Sequence, residues 1–312
     1  YANIDGFKYY EKPISINKRP LFDQWILSEI NTLNKDVLSA YNNYEPTIVG
    51  RLIQSFVIDK LSNWYVRLCR RRFWKGSYDT NKISAYQTLY DCLVLIAKIS
   101  SPIAPFFMDK LFFDLNNVAS LEKSESVHLS KFPTIKTTLI NPDLEKKMSL
   151  TRGICSLALS LRKKKGLRVR QPLNSITICL TDKYKETDVF ENLIKSETNI
   201  KNIFFSNKSG DLVKFKLVPN FSVLGKKHGP NTKKIISEIE KFSNLDSEKY
   251  QKSGELFVSF DKQKIRLSGD DLLIKIDAIP GFLSAKNNDA LISLDTVLSN
   301  ELLSEGFARE FV

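Results

Sequence analysis

Guanidinium groups beside aromatic rings suit phosphates and unstacked bases. Residues 51–74, RLIQSFVIDKLSNWYVRLCRRRFW, concentrate both. Arg67, Arg70, Arg71 and Arg72 occupy the last turns, and Phe73 and Trp74 close the run. A second cationic set lies in LRKKKGLRVRQP, residues 161–172, where Arg162, Lys163, Lys164, Lys165, Arg168 and Arg170 occur with no acid among them. A nucleic-acid backbone is served by such arrays, and binding through them weakens as salt rises. Each cluster also has a plainer reading. Cations at the end of a helix favour the negative end of its dipole, and a charge run also serves as a solvated face. A third basic stretch, KLVPNFSVLGKKHG at 216–229, lacks the GxxxxGK[ST] pattern and reads as a structural loop.

Other chemistries find little material. The two histidines, His128 and His228, are isolated, so no Ser/His/Asp or Cys/His set forms and general-base capacity is poor. Cys69, Cys92, Cys155 and Cys179 are scattered without metal-ligand spacing and read as reduced core thiols of a cytoplasmic protein. The residues therefore point to binding rather than catalysis. A net charge of +12 on 312 residues suggests a polyanionic partner, nucleic acid or an anionic membrane surface, although solubility alone also accounts for such an excess in part. No uninterrupted apolar run of the roughly 18 residues that a membrane span needs is present, and the start, YANIDGFKYYEKP, has no signal pattern.

The elements that must position these side chains fall into two textures. Up to about residue 142 the apolar residues recur at helical steps. Leu21, Phe22, Trp25, Ile26, Ile30 and Leu33 mark a first helix, with Asp23 and Glu29 on or near its solvent side. Leu52, Ile53, Phe56, Val57, Leu61, Trp64, Tyr65 and Leu68 form the stripe of the helix that carries the arginines, and Pro46 suits its start. Pro102 and Pro105 break the next apolar run, which predicts helices near 85–100 and 104–115 meeting at a kink. The sum is an antiparallel helical bundle. From 143 to 312 the pattern becomes α+β, opening with a helix over 143–165 that Gly166 can end. Strands are expected at 175–180, 201–206, 212–217, 256–260, 263–267 and 272–277, and helices at 186–197, 231–242 and 299–312. Asp261-Lys262 would turn a hairpin. Arg168 and Arg170 alternate about Val169, which predicts an extended segment with both on one face. Both chain ends read as cut from something larger.

Several stretches together resemble a known family. DQWILSEINTL, LSNWYVRLCRRRFW, TLYDCLVLIAKISSPIAPFFMDKLF with its APF motif, and SVHLSKFP are similar, in order, to the anticodon-binding bundle of class Ia aminoacyl-tRNA synthetases. LRVRQPL, PNFSVLGKKHG and ELLSEGFARE resemble the C-terminal extension of isoleucyl-tRNA synthetases of the eukaryote-like branch. Lys147-Met148-Ser149 mimics the start of the family's KMSKS loop, but Leu150 replaces its second lysine and the surroundings are helical, so it is a decoy.

The resemblance implies a class Ia bundle over 1–142, a smaller α+β extension over 143–312, and tRNA(Ile) as the partner. The complete enzyme would charge isoleucine with ATP and magnesium and edit misactivated valine, because one methylene gives a pocket only about 1–3 kcal/mol of discrimination. It would be a cytoplasmic monomer binding neither membrane nor DNA. The family sometimes carries zinc, for which this chain shows no ligands. The catalytic sites would precede residue 1, so this chain needs no cofactor of its own. Anticodon recognition would fall to Arg67, Arg70, Arg71, Arg72 and Trp74, with Phe73 as a further stacking ring and Tyr65 as another, although Tyr65 reads first as a core residue, and Lys163, Lys164, Lys165, Arg168 and Arg170 would add backbone contacts. A valyl or leucyl relative, a free-standing RNA-binding scaffold and a membrane-surface binder are the rival expectations.

Overall fold

A computed structural model describes every residue except 1, 3, 10–13, 76, 182, 183, 185, 186, 188, 208–212, 243, 261, 262, 311 and 312. The chain divides into two compact units, Tyr1–Lys146 and Lys147–Val312. The first is helical and the second α+β, as the residue patterns predict.

In the first unit, α1 (Leu21–Asn42) buries Trp25, Ile26, Leu27, Ile30, Leu33, Val37 and Ala40. Its two early acids are buried as well, which corrects the expectation that they face solvent: Asp23 is 0% exposed and Glu29 5%. Glu29 accepts from Trp25 Nε1 at 3.0 Å and pairs with Lys60. Pro46 opens α2 (Pro46–Ser55) at its first position, where a missing N–H costs no bond.

The helix then widens into a π-helical stretch, Phe56–Val66, before returning to α3, Arg67–Trp74. Extra residues per turn shift which side chains face inward. Phe56 and Leu61 are buried five apart, after which Leu61, Tyr65, Cys69 and Phe73 follow at steps of four. Leu52, Ile53, Val57, Trp64 and Leu68, expected on the apolar stripe, are only half-buried. The widened turns move the seam.

Asp79 caps α4 (Thr80–Ser100) by accepting from the Lys82 N–H at 2.9 Å, so this helix starts five residues before the expected position. Pro105 opens α5 (Pro105–Ala119), and the break lies where the two prolines put it. Ala97, Phe112 and Val127 close the core at this end.

The division between units falls inside α6, Pro142–Lys165. Met148 is buried on that helix, which leaves no flexible loop at the KMSKS decoy.

The second unit holds a four-stranded sheet in the order β2-β1-β8-β7. Strands β1 (Leu173–Leu180) and β2 (Ile200–Phe205) are parallel, joined through α7 (Glu191–Thr198). β8 (Ala290–Asp295) runs antiparallel to both β1 and β7 (Phe282–Lys286), with Ile176 opposite Leu294 and Ile178 opposite Ile292. These four side chains and Ile194 of α7 are fully buried.

Two antiparallel pairs complete the unit: β3 (Val213–Pro219) with β6 (Leu272–Ala278), and β4 (Glu255–Phe260) with β5 (Gln263–Ser268). Their core gathers Leu217, Val258, Leu267 and Leu272 with Leu224 of α8 (Phe221–His228), Ile235 and Ile239 of α9 (Thr232–Ile239) and Tyr250 of α10 (Asn244–Ser253). The β4–β5 hairpin is as expected, though its turn, Asp261-Lys262, lies outside the described residues. So do the expected strand start at 212, residues 186 and 188 of the helix expected over 186–197, and residues 311–312 of the last helix, which is α11 (Asn300–Ala308). The stretch expected as a basic loop at 216–229 is instead the end of β3 followed by α8, and Lys227 is tied to Asp271 at 2.6 Å.

Candidate nucleic-acid interface

Three or four residues separate side chains that share a helix face. On α3 this sorts the cations. Arg67, Arg70, Arg71 and Trp74 lie outward, whereas Cys69, Arg72 and Phe73 turn inward. Arg72 is therefore a correction to the expected site. Its Nη1 and Nη2 donate to the two carboxylate oxygens of Asp23 at 2.6 and 2.8 Å, and Nη2 also reaches the Asn81 carbonyl. Asp23 further accepts from Tyr65 Oη at 2.8 Å and Ser84 Oγ at 2.6 Å, so a fully buried carboxylate has donors on both oxygens. Burial alone would weaken the charge of Arg72. The hydrogen bonds and charge of Asp23 outweigh it and hold the guanidinium above the ordinary arginine range. Arg72 fastens α3 to α1, and α4 joins through Ser84.

Phe73 also leaves the set of expected stacking rings, while Tyr65 is core, as its place on the apolar stripe predicts. Tyr65 is 0% exposed, and Phe73, 8% exposed, stacks on Tyr86 with centroids 5.5 Å apart. Trp74 stays half-exposed, and the Arg70 guanidinium lies over its ring at 5.0 Å. Arg67 sits over Trp64 at 5.8 Å and donates to the Asn63 carbonyl. Beside them, Val66, Arg70, Phe73, Trp74 and Leu89 line a cleft of about 390 Å³, within the size range of small-ligand pockets, roughly 300–1,000 Å³. Arg71 shares a second cleft, of about 290 Å³, with Lys75, Asp79, Lys82 and the edge of Arg72. Lys75 is a cation that the sequence pattern did not single out, although it directly follows Trp74. The geometry gives one helix face with three guanidiniums and an indole, with Lys75 just beyond the helix end, and this set can meet phosphates and stack a base.

The second cluster also divides. Lys163, Lys164, Lys165, Arg168 and Arg170 are exposed, while Arg162 is 1% exposed. Gly166 ends α6 at φ +72°, with its N–H on the Lys163 carbonyl and the Leu167 N–H on the Arg162 carbonyl. This is the double closure that a left-handed glycine provides. The chain does not extend afterwards as expected. The Gln171 N–H reaches back to the Arg168 carbonyl at 3.1 Å, making residues 168–171 a turn. Arg168 is paired with Glu310 at the surface. Lys163, Lys164, Lys165 and Arg170 have no ion-pair partner among the described residues.

Among the described residues, no helix is long and apolar enough to cross a membrane, and no group of three His, Cys, Asp or Glu side chains could hold a metal ion. The four cysteines are buried thiols outside any disulfide, and the Cys69 thiol is pushed up to about 11, chiefly by burial. These thiols do not fit the zinc that the resemblance allows.

Residues 23–178 match the family described as the anticodon-binding domain of tRNA ligase. The chain belongs to that family. The match covers the bundle with its arginine face and continues through α6 into β1. Over its whole length the chain is 42% identical to an isoleucine–tRNA ligase of Cytophaga hutchinsonii and 41% identical to one of Bacteroides fragilis, covering 28% of each. It is 35% identical to an isoleucine–tRNA ligase of Chlamydia pneumoniae, covering 30% of it. The chain thus spans under a third of the curated relatives it matches. Matches along the full 312 residues bring the α+β unit, and with it the lysine run, into the same likeness.

Proposed function

We propose that this chain is the C-terminal, tRNA-binding part of an isoleucine–tRNA ligase and that it recognises the anticodon region of tRNA(Ile). One observation carries the reading: Arg67, Arg70, Arg71 and Trp74 share one exposed face of α3, inside the stretch that matches the anticodon-binding family. The guanidiniums engage phosphates and set register. Trp74, flanked by the cleft against Val66 and Leu89, stacks a splayed base, which is worth roughly 1–3 kcal/mol. Lys163, Lys164, Lys165, Arg168 and Arg170 add a second backbone contact in their own unit. The complete enzyme, in this reading, is cytoplasmic and joins isoleucine to tRNA with ATP and magnesium, at sites outside these residues.

Filter binding with tRNA(Ile) transcripts tests the proposal. The chain binds tRNA(Ile) more tightly than tRNA(Val) or tRNA(Leu), and changes in the anticodon weaken binding. Tightest binding to a valine or leucine acceptor, or indifference to the anticodon, would refute it.

A further inference from the structure

The turn at 168–171 is held from inside in a way that its surface charges do not explain. Its four consecutive carbonyls all point to two side chains. Arg162 Nη1 donates to the carbonyls of Arg168 at 3.0 Å and Gln171 at 2.9 Å. The Asn199 amide donates to those of Val169 at 3.0 Å and Arg170 at 2.9 Å. Arg162 Nη2 also donates to the Asn199 carbonyl at 3.0 Å, joining the two anchors.

Both anchors are unusual for their places. Arg162 is almost fully buried, and among the described residues no carboxylate pairs with it. A buried guanidinium served only by carbonyls is costly to keep. Asn199 sits at φ +51°, a left-handed position that asparagine tolerates better than most residues. Its side chain is thereby free to lie along the turn, and its Oδ1 accepts from Arg309 at 2.8 Å.

With all four carbonyls taken up by Arg162 and Asn199, the turn presents its exposed side chains, Arg168 and Arg170, to solvent. We infer that Arg162, with Asn199, is a positioning residue for RNA binding: it takes up the inward carbonyls and fixes the turn that displays Arg168 and Arg170 to the phosphate backbone. The inference rests on the RNA-binding reading above, and it assigns to Arg162 no contact with RNA. The surface pair between Arg168 and Glu310 is exposed, and a pair of that kind is weak enough for a phosphate to displace.

The test uses the full chain, a tRNA(Ile) transcript, and the variants Arg162→Lys, Asn199→Gly and Arg168→Ala/Arg170→Ala. Lysine keeps the charge but loses the fork that spans two carbonyls. Glycine keeps the left-handed backbone but loses the amide. Hydrogen exchange at the Leu167 and Gln171 amides should quicken about tenfold in either variant, the equivalent of losing roughly one charged hydrogen bond in Arg162→Lys or two neutral ones in Asn199→Gly. Affinity should fall by about the same factor. The Arg168→Ala/Arg170→Ala pair should cost wild type more than it costs the Arg162→Lys background, since the loosened turn already holds the backbone less well.

Unchanged exchange in both variants overturns the positioning role without reference to RNA. Quickened exchange with unchanged affinity overturns it too, provided Arg168→Ala/Arg170→Ala weakens binding in wild type. If that pair has no effect in wild type, the RNA reading of this turn fails instead. Should Arg162→Lys not fold, Asn199→Gly decides alone.

Discussion

Replacing Arg72 by alanine should destabilise the helical unit while keeping Arg67, Arg70, Arg71 and Trp74, the outward side chains of α3. Asp23 is fully buried, and its four donors are Arg72 Nη1, Arg72 Nη2, Tyr65 and Ser84. The substitution removes the two charged donors and leaves a buried carboxylate on two hydroxyls. Breaking a buried ion pair from one side costs roughly 3–5 kcal/mol, mostly the penalty of the stranded charge. Two donors survive, and the Arg72 side chain is 17% exposed, so water can partly replace it. The loss should therefore lie near the lower end, about 3 kcal/mol. Urea unfolding followed by tryptophan fluorescence reads this selectively, since Trp25, Trp64 and Trp74 all lie in the first unit. Adding Asp23→Asn should recover about 1 kcal/mol or more of that loss by removing the stranded charge. A loss below about 0.5 kcal/mol, the range of ordinary surface substitutions, together with weaker tRNA binding would contradict a structural role and return Arg72 to the RNA surface.

Further outcomes follow from the same geometry. Arg67→Ala/Arg70→Ala/Arg71→Ala should leave the fold intact and reduce the slope of log affinity against log salt by roughly one for each phosphate no longer neutralised. Trp74→Ala should cost roughly 1–3 kcal/mol of binding, read by filter binding at fixed salt. Asp271 should govern acid sensitivity in the second unit. Burial would raise its pKa, but the bonds from Lys227 and the Ser268 N–H prevail and hold it below the ordinary value. A carboxylate lowered in this way contributes stability above its unfolded pKa of about 3.9, and loses it as pH falls through the folded value. Asp271→Asn should accordingly destabilise at pH 7 and converge with wild type in melts below about pH 4. The four buried thiols should resist a thiol reagent until denaturant is added, and rapid labelling of the native chain would contradict their burial.

Periodicity carried much of this fold. The step of three and four that groups Arg67, Arg70, Arg71 and Trp74 can be read from the chain itself, as can the prolines that divide α4 from α5. What escaped was decided at a distance. Arg72 is withdrawn by an acid 49 positions earlier, and that acid looks like a solvent-side residue until the helices pack. Arg162 sits among lysines in the sequence, yet the groups that bury it come from the following turn and from Asn199. The π-helical turns shift the buried seam by one residue, which no straight helical template anticipates. In α8, Gly225 and the lysines around it suggest a loop, and only Leu224 is buried to hold the helix down. Strands β7 and β8 escape the pattern because serines interrupt their apolar runs; Ser284 and Ser293 pair opposite each other across the two strands.

In the proposed complex the outward face of α3 grips the anticodon region. Photochemical crosslinking of the chain to tRNA(Ile), with the attached peptides and nucleotides mapped by mass spectrometry, addresses it most directly. Crosslinks from the peptide holding Arg67–Trp74 to anticodon-loop nucleotides, and from 163–170 to backbone elsewhere on the tRNA, are the predicted result. Crosslinks confined to other surfaces, such as the lysines of α8 and α9, with none on α3, would contradict it.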